Sequence, residues 1–271
     1  MIAVLSDIHG NLHALDAVLK DMPAVSEIWV LGDMVGGWIY PCEVLDRLLN
    51  LSVPVTAVRG NWENGLIEGK NGIHPDWWDS ERYTTSAWTV DALKPHHWDY
   101  IEKLENTAIC DSVRGGAMLF HGRPDNFKTD VVGIFKQDDA AQYMAEYEQK
   151  WLLGGHIHRT RLYRDKDKRL AIVGSIGLNF DGIGGTACYA LLDEDIVFRH
   201  VSYDIESAVK EMENSELYER DFAFIRANCL SALHGRNYIM SLLTFGNSYD
   251  GSWSEAGKAW DQSEWTKDRL L

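Results

Sequence analysis

The chain has 271 residues, 45% of them hydrophobic and 25% charged, with 41 acidic side chains against 26 basic ones and a formal net charge of −15. That length accommodates one large domain, or a domain with an appendage, and either can bury a core. So acidic a chain excludes a protein whose main work is to grip a nucleic-acid backbone, and it disfavours adsorption to anionic membranes.

The apolar run Ile2–Ser6 predicts a strand, and Leu12–Lys20 carries apolar residues at helical spacing. Glu27–Leu31 predicts a second strand and Glu43–Leu51 a helix. Val53–Val58 predicts a third strand, with Pro54 near its start, where a missing N–H is tolerated. This alternation predicts βαβ units and a largely parallel sheet. From Asn64 to Thr107 the chain turns rich in Trp and His, which predicts an irregular loop and two short helices broken into a hairpin by Pro95. Trp77, Trp78, Tyr83, Trp88 and Trp98 read as the core of that hairpin against the sheet rather than as a lid. His74, His96 and His97 read as surface, and so does His13.

Strands return at Ala117–Phe120, near Trp151–Leu153, and at Ala171–Val173, Cys188–Leu192 and Ile196–Ser202. A helix is expected over Gln137–Lys150 and a hairpin turn at Asp193-Glu194-Asp195. After Asp204 the pattern is helical, and Ser248–Leu271 is polar with scattered tryptophans. The expected organisation is a catalytic domain over 1–204, containing the helical aromatic insertion at 64–107, and a helical extension over 205–271. That extension would brace the domain or mediate self-association. Cys42, Cys110, Cys188 and Cys229 lie far apart, which predicts neither a disulfide framework nor a zinc knuckle. With no basic-then-apolar leader and no run long enough to span a bilayer, the expected location is the cytoplasm.

Polar residues recur at one place, the carboxyl ends of predicted strands. The first strand ends in Asp7-x-His9, the second in Gly32-Asp33 and the third in Gly60-Asn61-Trp62-Glu63. Two later ones end in His121-Gly122 and in Gly155-His156-Ile157-His158. In open α/β sheets that rim is where ligands bind. Two Asp, one Asn and four His suit borderline divalent metals such as manganese, iron, zinc or nickel better than calcium or magnesium. Seven such residues exceed one tetrahedral site and suit two sites that share a carboxylate. Two ions about 3.5–4 Å apart form the usual clamp for in-line displacement at phosphorus.

These motifs resemble the calcineurin-like metallophosphoesterases, whose pattern is D-x-H, G-D, G-N-H-[DE], H and G-H-x-H. The resemblance runs from Asp7 to about Asp204 and includes "VGSIG" at Val173–Gly177. Within the family the chain is similar to the small bacterial phosphodiesterase-like branch and to an asymmetric diadenosine tetraphosphate hydrolase that also carries G-N-W-E. The resemblance implies a four-layer α-β-β-α sandwich of two packed, largely mixed sheets. It implies one divalent ion on Asp7, His9, Asp33 and His158, and a second on Asp33, Asn61, His121 and His156. A hydroxide held between them would attack a phosphate ester, with Asp33, Asn61 and His121 acting through the metals.

Two departures from the family pattern matter. Trp62 stands where the family has a histidine thought to assist the leaving group, and indole cannot exchange a proton at neutral pH. The Asp-Arg of the protein-phosphatase branch is also missing after Asp33. Without a general acid, poor leaving groups lose a factor of about 10²–10⁴, so a nucleotide-like diester or anhydride is expected as a small-molecule substrate. Trp62 is a candidate platform for a base. Arg59, Arg123 and Arg159 are candidate phosphate clamps. The alternatives are a broad phosphodiesterase and a silent binding scaffold on the same fold, and oligomeric state is left open.

Overall fold

The computed structural model describes residues 1–73, 80–124 and 137–266. Two five-stranded sheets lie face to face with helices outside them. The first sheet contains β1 (Ile2–Leu5), β2 (Glu27–Val30), β3 (Val55–Ala57), β9 (Thr186–Leu192) and β10 (Ile196–Ser202), in the order β10-β9-β1-β2-β3. The second contains β4 (Thr107–Cys110), β5 (Ala117–Phe120), β6 (Trp151–Gly154), β7 (Arg161–Asp165) and β8 (Lys168–Ile172), in the order β4-β5-β6-β8-β7. Both are mixed. β1, β2 and β3 run parallel while β9 joins β1 antiparallel. β5, β6 and β8 run parallel between antiparallel β4 and β7.

The central strands are apolar throughout because both of their faces are covered. Successive side chains alternate between faces, so Ala3 and Leu5 of β1 pack with Ile28 and Val30 of β2 under the outer helices. Ile2, Val4, Trp29 and Leu31 point the other way and meet Leu119, Trp151 and Leu153 between the sheets. Helices α1 (Leu12–Asp21) and α2 (Pro41–Leu49) cover the first sheet, and α6 (Gln137–Ala145) covers the second through Tyr143 and Met144. Asn11 caps α1 by accepting from Ala14 N at 3.0 Å, and Pro41 opens α2 where no N–H is needed.

Several elements differ from the sequence expectation. Asn61–Lys70 is a helix, α3, not an irregular loop. Gly65 and Gly69 argue for a loop locally, but burial of Glu63 and Leu66 anchors the helix. β4 and β7 were not expected: both are antiparallel edge strands, β4 only four residues long with Ile109 exposed and β7 largely polar. The helical pair is α4 (Thr84–Ala92) and α5 (Pro95–Ile101), with Pro95 at the first position of the second helix. Trp98 packs under the first sheet, whereas Trp88 packs toward the C-terminal helices. His97 is fully buried, contrary to the surface reading. Its Nδ1 accepts from Lys94 N at 3.2 Å, and its Nε2 donates to Asp46 at 3.0 Å, which satisfies the ring inside the protein. His74, Trp77 and Trp78 lie outside the described residues.

The C-terminal segment folds into α7 (Ile205–Glu213), α8 (Glu216–Arg220), α9 (Phe222–His234), α10 (Tyr238–Ser248) and α11 (Trp253–Asp261). The polar stretch after Ser248 is anchored by Trp260, which is fully buried with Ala223, Ala227 and Leu242 and donates to Ser241 Oγ at 3.0 Å. Ile225 and Cys229 of α9 pack on Trp38, Leu178 and Phe180, which lie in loops at the carboxyl rim of the sheets. Asn228 reinforces that contact by donating to Gly37 O at 3.1 Å. The extension therefore buttresses the loops that carry the polar motifs.

Candidate metal centre

Asp7 and His9 follow β1, Asp33 follows β2, Asn61 opens α3 after β3, His121 follows β5, and His156 and His158 follow β6. Asp7, His9, Asp33, His156 and His158 all have left-handed backbone, with φ of 52°, 54°, 52°, 74° and 57°. Among the described non-glycine residues only Lys166 shares that conformation. Each such residue costs about 1–3 kcal/mol and persists only where the surroundings over-determine it. Here backbone bonds do so: Asp7 N donates to Gly32 O at 3.1 Å, His9 N to Asp33 O at 2.9 Å and Gly10 N to Met34 O at 2.9 Å. Gly60 is required as well, because a Cβ there would fall on Asp33 Oδ1.

The seven side chains converge in two adjoining groups. In the first, His158 Nε2 lies 3.3 Å from Asp7 Oδ1 and 3.1 Å from His9 Nε2. In the second, His121 Nε2 lies 3.2 Å from Asp33 Oδ2 and 2.9 Å from Asn61 Oδ1, and His156 Nδ1 lies 2.8 Å from the same Asn61 oxygen. Asp33 Oδ2 also lies 3.8 Å from His9 Nε2, so its carboxylate stands between the groups.

The hydrogen bonds behind the rings decide what this arrangement can hold. The Nδ1 atoms of His9, His121 and His158 face the carbonyls of Gly36, Leu31 and Leu178 at 3.1, 2.6 and 2.8 Å. A carbonyl only accepts, so each Nδ1 carries a proton, and in its neutral form each ring turns an Nε2 lone pair inward. The Nε2 atoms of His9 and His158 thus face each other with no hydrogen between them. Asp7 Oδ2 accepts from Ser6 Oγ at 2.5 Å and His156 N at 3.0 Å, but the buried Oδ1 accepts nothing. Converging lone pairs beside an orphaned carboxylate oxygen are what a divalent cation satisfies, and backbone carbonyls behind the rings are its usual outer support. The residues fit metal ions.

Electrostatics agree. Burial alone would raise Asp7 and Asp33, but His158, His121 and His9 around the first and His121 beside the second hold both carboxyls below the usual range. Burial and the charge of His158 push His9 down to about 4. Burial works against the His121 cation, but the charges of Asp33 and Asp7, with the hydrogen bonds to Asp33 and Leu31 O, together push the ring up to about 10. The two buried carboxylates thus draw positive charge to the site, as a bound cation would supply it.

Glu63, the last residue of the Gly60-Asn61-Trp62-Glu63 motif and given no role in the sequence reading, is a positioning residue. It is fully buried, with Oε2 accepting from Gly60 N and Asp33 N, both at 2.9 Å, and Oε1 accepting from Met34 N at 2.7 Å and Val35 N at 3.3 Å. It thereby ties α3 to the loop that carries Asp33. Burial, then the nearby Asp33 charge, pushes its carboxyl up to about 7. Its sequence signals are the acidic position that closes the Gly-Asn-Trp-Glu motif and its place at the third position of a helix.

A cleft of about 930 Å³ opens over the cluster. Trp62 and Arg159 line it, together with Arg82 and Arg161, which the sequence reading did not single out. Trp62 rests against Gly36, and its ring meets His9 edge-on with centroids 5.8 Å apart. Arg59 does not line the cleft; it donates to Glu102 O at 3.0 Å. Arg123 lies over the Tyr143 ring at 5.6 Å and is also absent from the cleft wall.

The profile of the calcineurin-like phosphoesterase superfamily domain matches residues 1–195. An uncharacterised protein of Methanocaldococcus jannaschii is 30% identical over 240 residues, covering 81% of this chain and 94% of that protein. A crystal structure of a metallophosphoesterase from Sphaerobacter thermophilus is 25% identical with a TM-score of 0.67, covering 84% of this chain and 99% of its own. A hypothetical protein of Pyrococcus horikoshii, 21% identical, superposes with a TM-score of 0.72 over 87% of this chain and 99% of its own, a likeness of fold. No helix among the described residues is long and apolar enough to cross a membrane.

Proposed function

This chain belongs to the calcineurin-like phosphoesterase superfamily, a family of metal-dependent hydrolases, and from that premise we propose that it cleaves a nucleotide-like phosphodiester or phosphoanhydride at a two-metal centre. The observation that carries the reading is the inward-facing pair of His9 and His158 Nε2 lone pairs beside the orphaned Asp7 Oδ1, adjoining a second group of the same make-up. Asp7, His9 and His158 would hold one ion, Asn61, His121 and His156 the other, and Asp33 both; manganese is the first candidate. Divalent ions there supply Lewis acidity toward water and the phosphoryl oxygens.

The chain's own residues orient and exclude. Carbonyl-anchored imidazoles fix the donors in place, Glu63 holds the Asp33 loop, and Trp62 closes one side of the cleft to water. Trp62 offers no proton to a leaving group, which favours phenolate or phosphate leaving groups. Arg159 and Arg161 on the wall suit a substrate with a further anionic group.

The test is metal-stripped protein supplied with manganese and offered an aryl diester, an aryl monoester, cyclic nucleotides and diadenosine tetraphosphate, with Asp33→Asn alongside. Manganese-dependent cleavage of a nucleotide, lost in the variant, is the expected result. Cleavage of the aryl diester alone would remove the nucleotide reading, and no turnover of any substrate would refute the hydrolase reading for this chain.

A further inference from the structure

Helix α10 has two apolar faces. Tyr238, Leu242 and Gly246 form the buried one, with Tyr238 and Leu242 packed on Trp260 and α9. Ile239, Met240 and Leu243 recur at helical spacing on the other, and that face lines the cleft over the metal centre. Met240 is 54% exposed on that face.

We propose that the corner between α9 and α10 is the subsite for the organic group of the substrate, an aromatic ring carried on the phosphate, so that the C-terminal helices set specificity. The proposal rests on the phosphate-binding role given above to the metal centre. Three observations carry it. The corner is continuous with the centre, since one cleft is lined by His9, Asp33 and Asn61 at one end and by Met240 and Leu243 at the other. Its lining is aromatic: Trp62 and Phe224 pack against each other, 6.0 Å between centroids at 40°, and Phe180 lies on the same wall. The charge fits a ring tethered to phosphate. Although the chain carries a net −15, Asp33 is the sole carboxylate on the cleft wall among the described residues, where Arg82, Arg159 and Arg161 also lie.

Phe224 and the α10 side chains of this wall follow the family profile, which ends at residue 195, whereas Trp62 and Phe180 lie within it. Arg82 fastens the two parts by donating to Asn247 at 2.9 Å and lying over the Trp253 ring at 4.8 Å. The phosphate end of the cleft is thus made by the sandwich alone, and the organic end by the sandwich and the extension together.

Two phosphonates with a common head, 1-naphthylmethylphosphonate and methylphosphonate, are titrated onto manganese-loaded protein, and the ratio of their affinities reads the ring's contribution. The wild type should bind the naphthyl compound about tenfold tighter or more, the usual effect of stacking one aromatic ring. Met240→Gln combined with Leu243→Gln, which leaves the buried face of α10 intact, should reduce that ratio about fivefold or more. Met240→Leu with Leu243→Met should preserve it. Met240→Gln alone, at an exposed position, gives the same reading should the pair fail to fold. A wild-type ratio near one, or a ratio unmoved by glutamine while circular dichroism shows full helicity, would overturn the proposal. Aryl diester turnover in the same samples keeps the two readings apart: a ratio that behaves as expected in protein with no turnover supports the subsite and refutes only the hydrolase reading.

Discussion

Replacing Glu63 by Gln changes one atom and should cost more than most core truncations. The two carboxylate oxygens each accept two backbone N–H groups in a fully buried position, Gly60 and Asp33 on one, Met34 and Val35 on the other. Whichever way a glutamine amide turns, its NH₂ confronts two of those donors. A buried donor left without an acceptor costs about 1–3 kcal/mol, so the pair costs about 2–6 kcal/mol. That is a large share of the roughly 5–15 kcal/mol by which domains are stable. Urea denaturation should show a loss in this range, and thermal melting a fall of about 5–15 °C. The left-handed backbone of Asp33, φ 52°, loses its restraint at the same time, so manganese affinity should fall along with stability. A urea midpoint within about 0.5 kcal/mol of wild type would refute the reasoning, because it would mean that water or a relaxed backbone satisfies these donors.

Manganese should stabilise the protein, because a ligand that binds only the folded state at 100-fold its dissociation constant contributes about 2.7 kcal/mol. The melting temperature should rise by about 5–10 °C on loading, and Asp33→Asn should lose most of that rise; equal shifts in both proteins would contradict the ligand set. Trp260→Ala should cost about 3–5 kcal/mol in urea denaturation, since the ring is fully buried and anchors α11 on α9 and α10. A loss below about 1 kcal/mol would show that those helices are not a packed unit. Asp21 accepts from Tyr189 Oη at 2.8 Å and from Arg199 at 3.0 and 3.1 Å, and these bonds hold its carboxyl below the usual range. A depressed folded pKa gives stability that is present above the unfolded value, about 3.9, and is lost as pH falls through the folded one. Wild type should therefore lose more stability than Asp21→Asn between about pH 5 and pH 3; parallel losses would count against it.

The local part of this protein was readable from its chain. Runs such as Ile2–Leu5 and Trp151–Gly154 are apolar at every position because sheets and helices cover both faces, and that burial is written directly into composition. The polar motifs ending those runs were readable for the same reason: a carboxylate or imidazole has no place inside such a strand and so marks the rim. β7 escaped because an edge strand is held by its partner's backbone and its own residues are mostly polar, and β4 because its apolar stretch is only three residues long with Ile109 turned to solvent. The burial of His97 escaped too, since its ring is satisfied by Asp46, 51 positions away.

Tertiary structure alone decided what the motifs do together. The meeting of His9 with His158, 149 positions apart, depends on β1 and β6 lying in different sheets packed with their carboxyl ends at the same rim. The tautomers depend on carbonyls of Leu31, Gly36 and Leu178, which no side-chain pattern encodes. The apolar wall of α10 reads in sequence as one more core face, and only the packing of Trp260 against the opposite face shows that Met240 and Leu243 are left to the cleft. Periodicity reports how much of an element is buried. It does not report against what, because that is fixed by contacts between segments far apart in the chain.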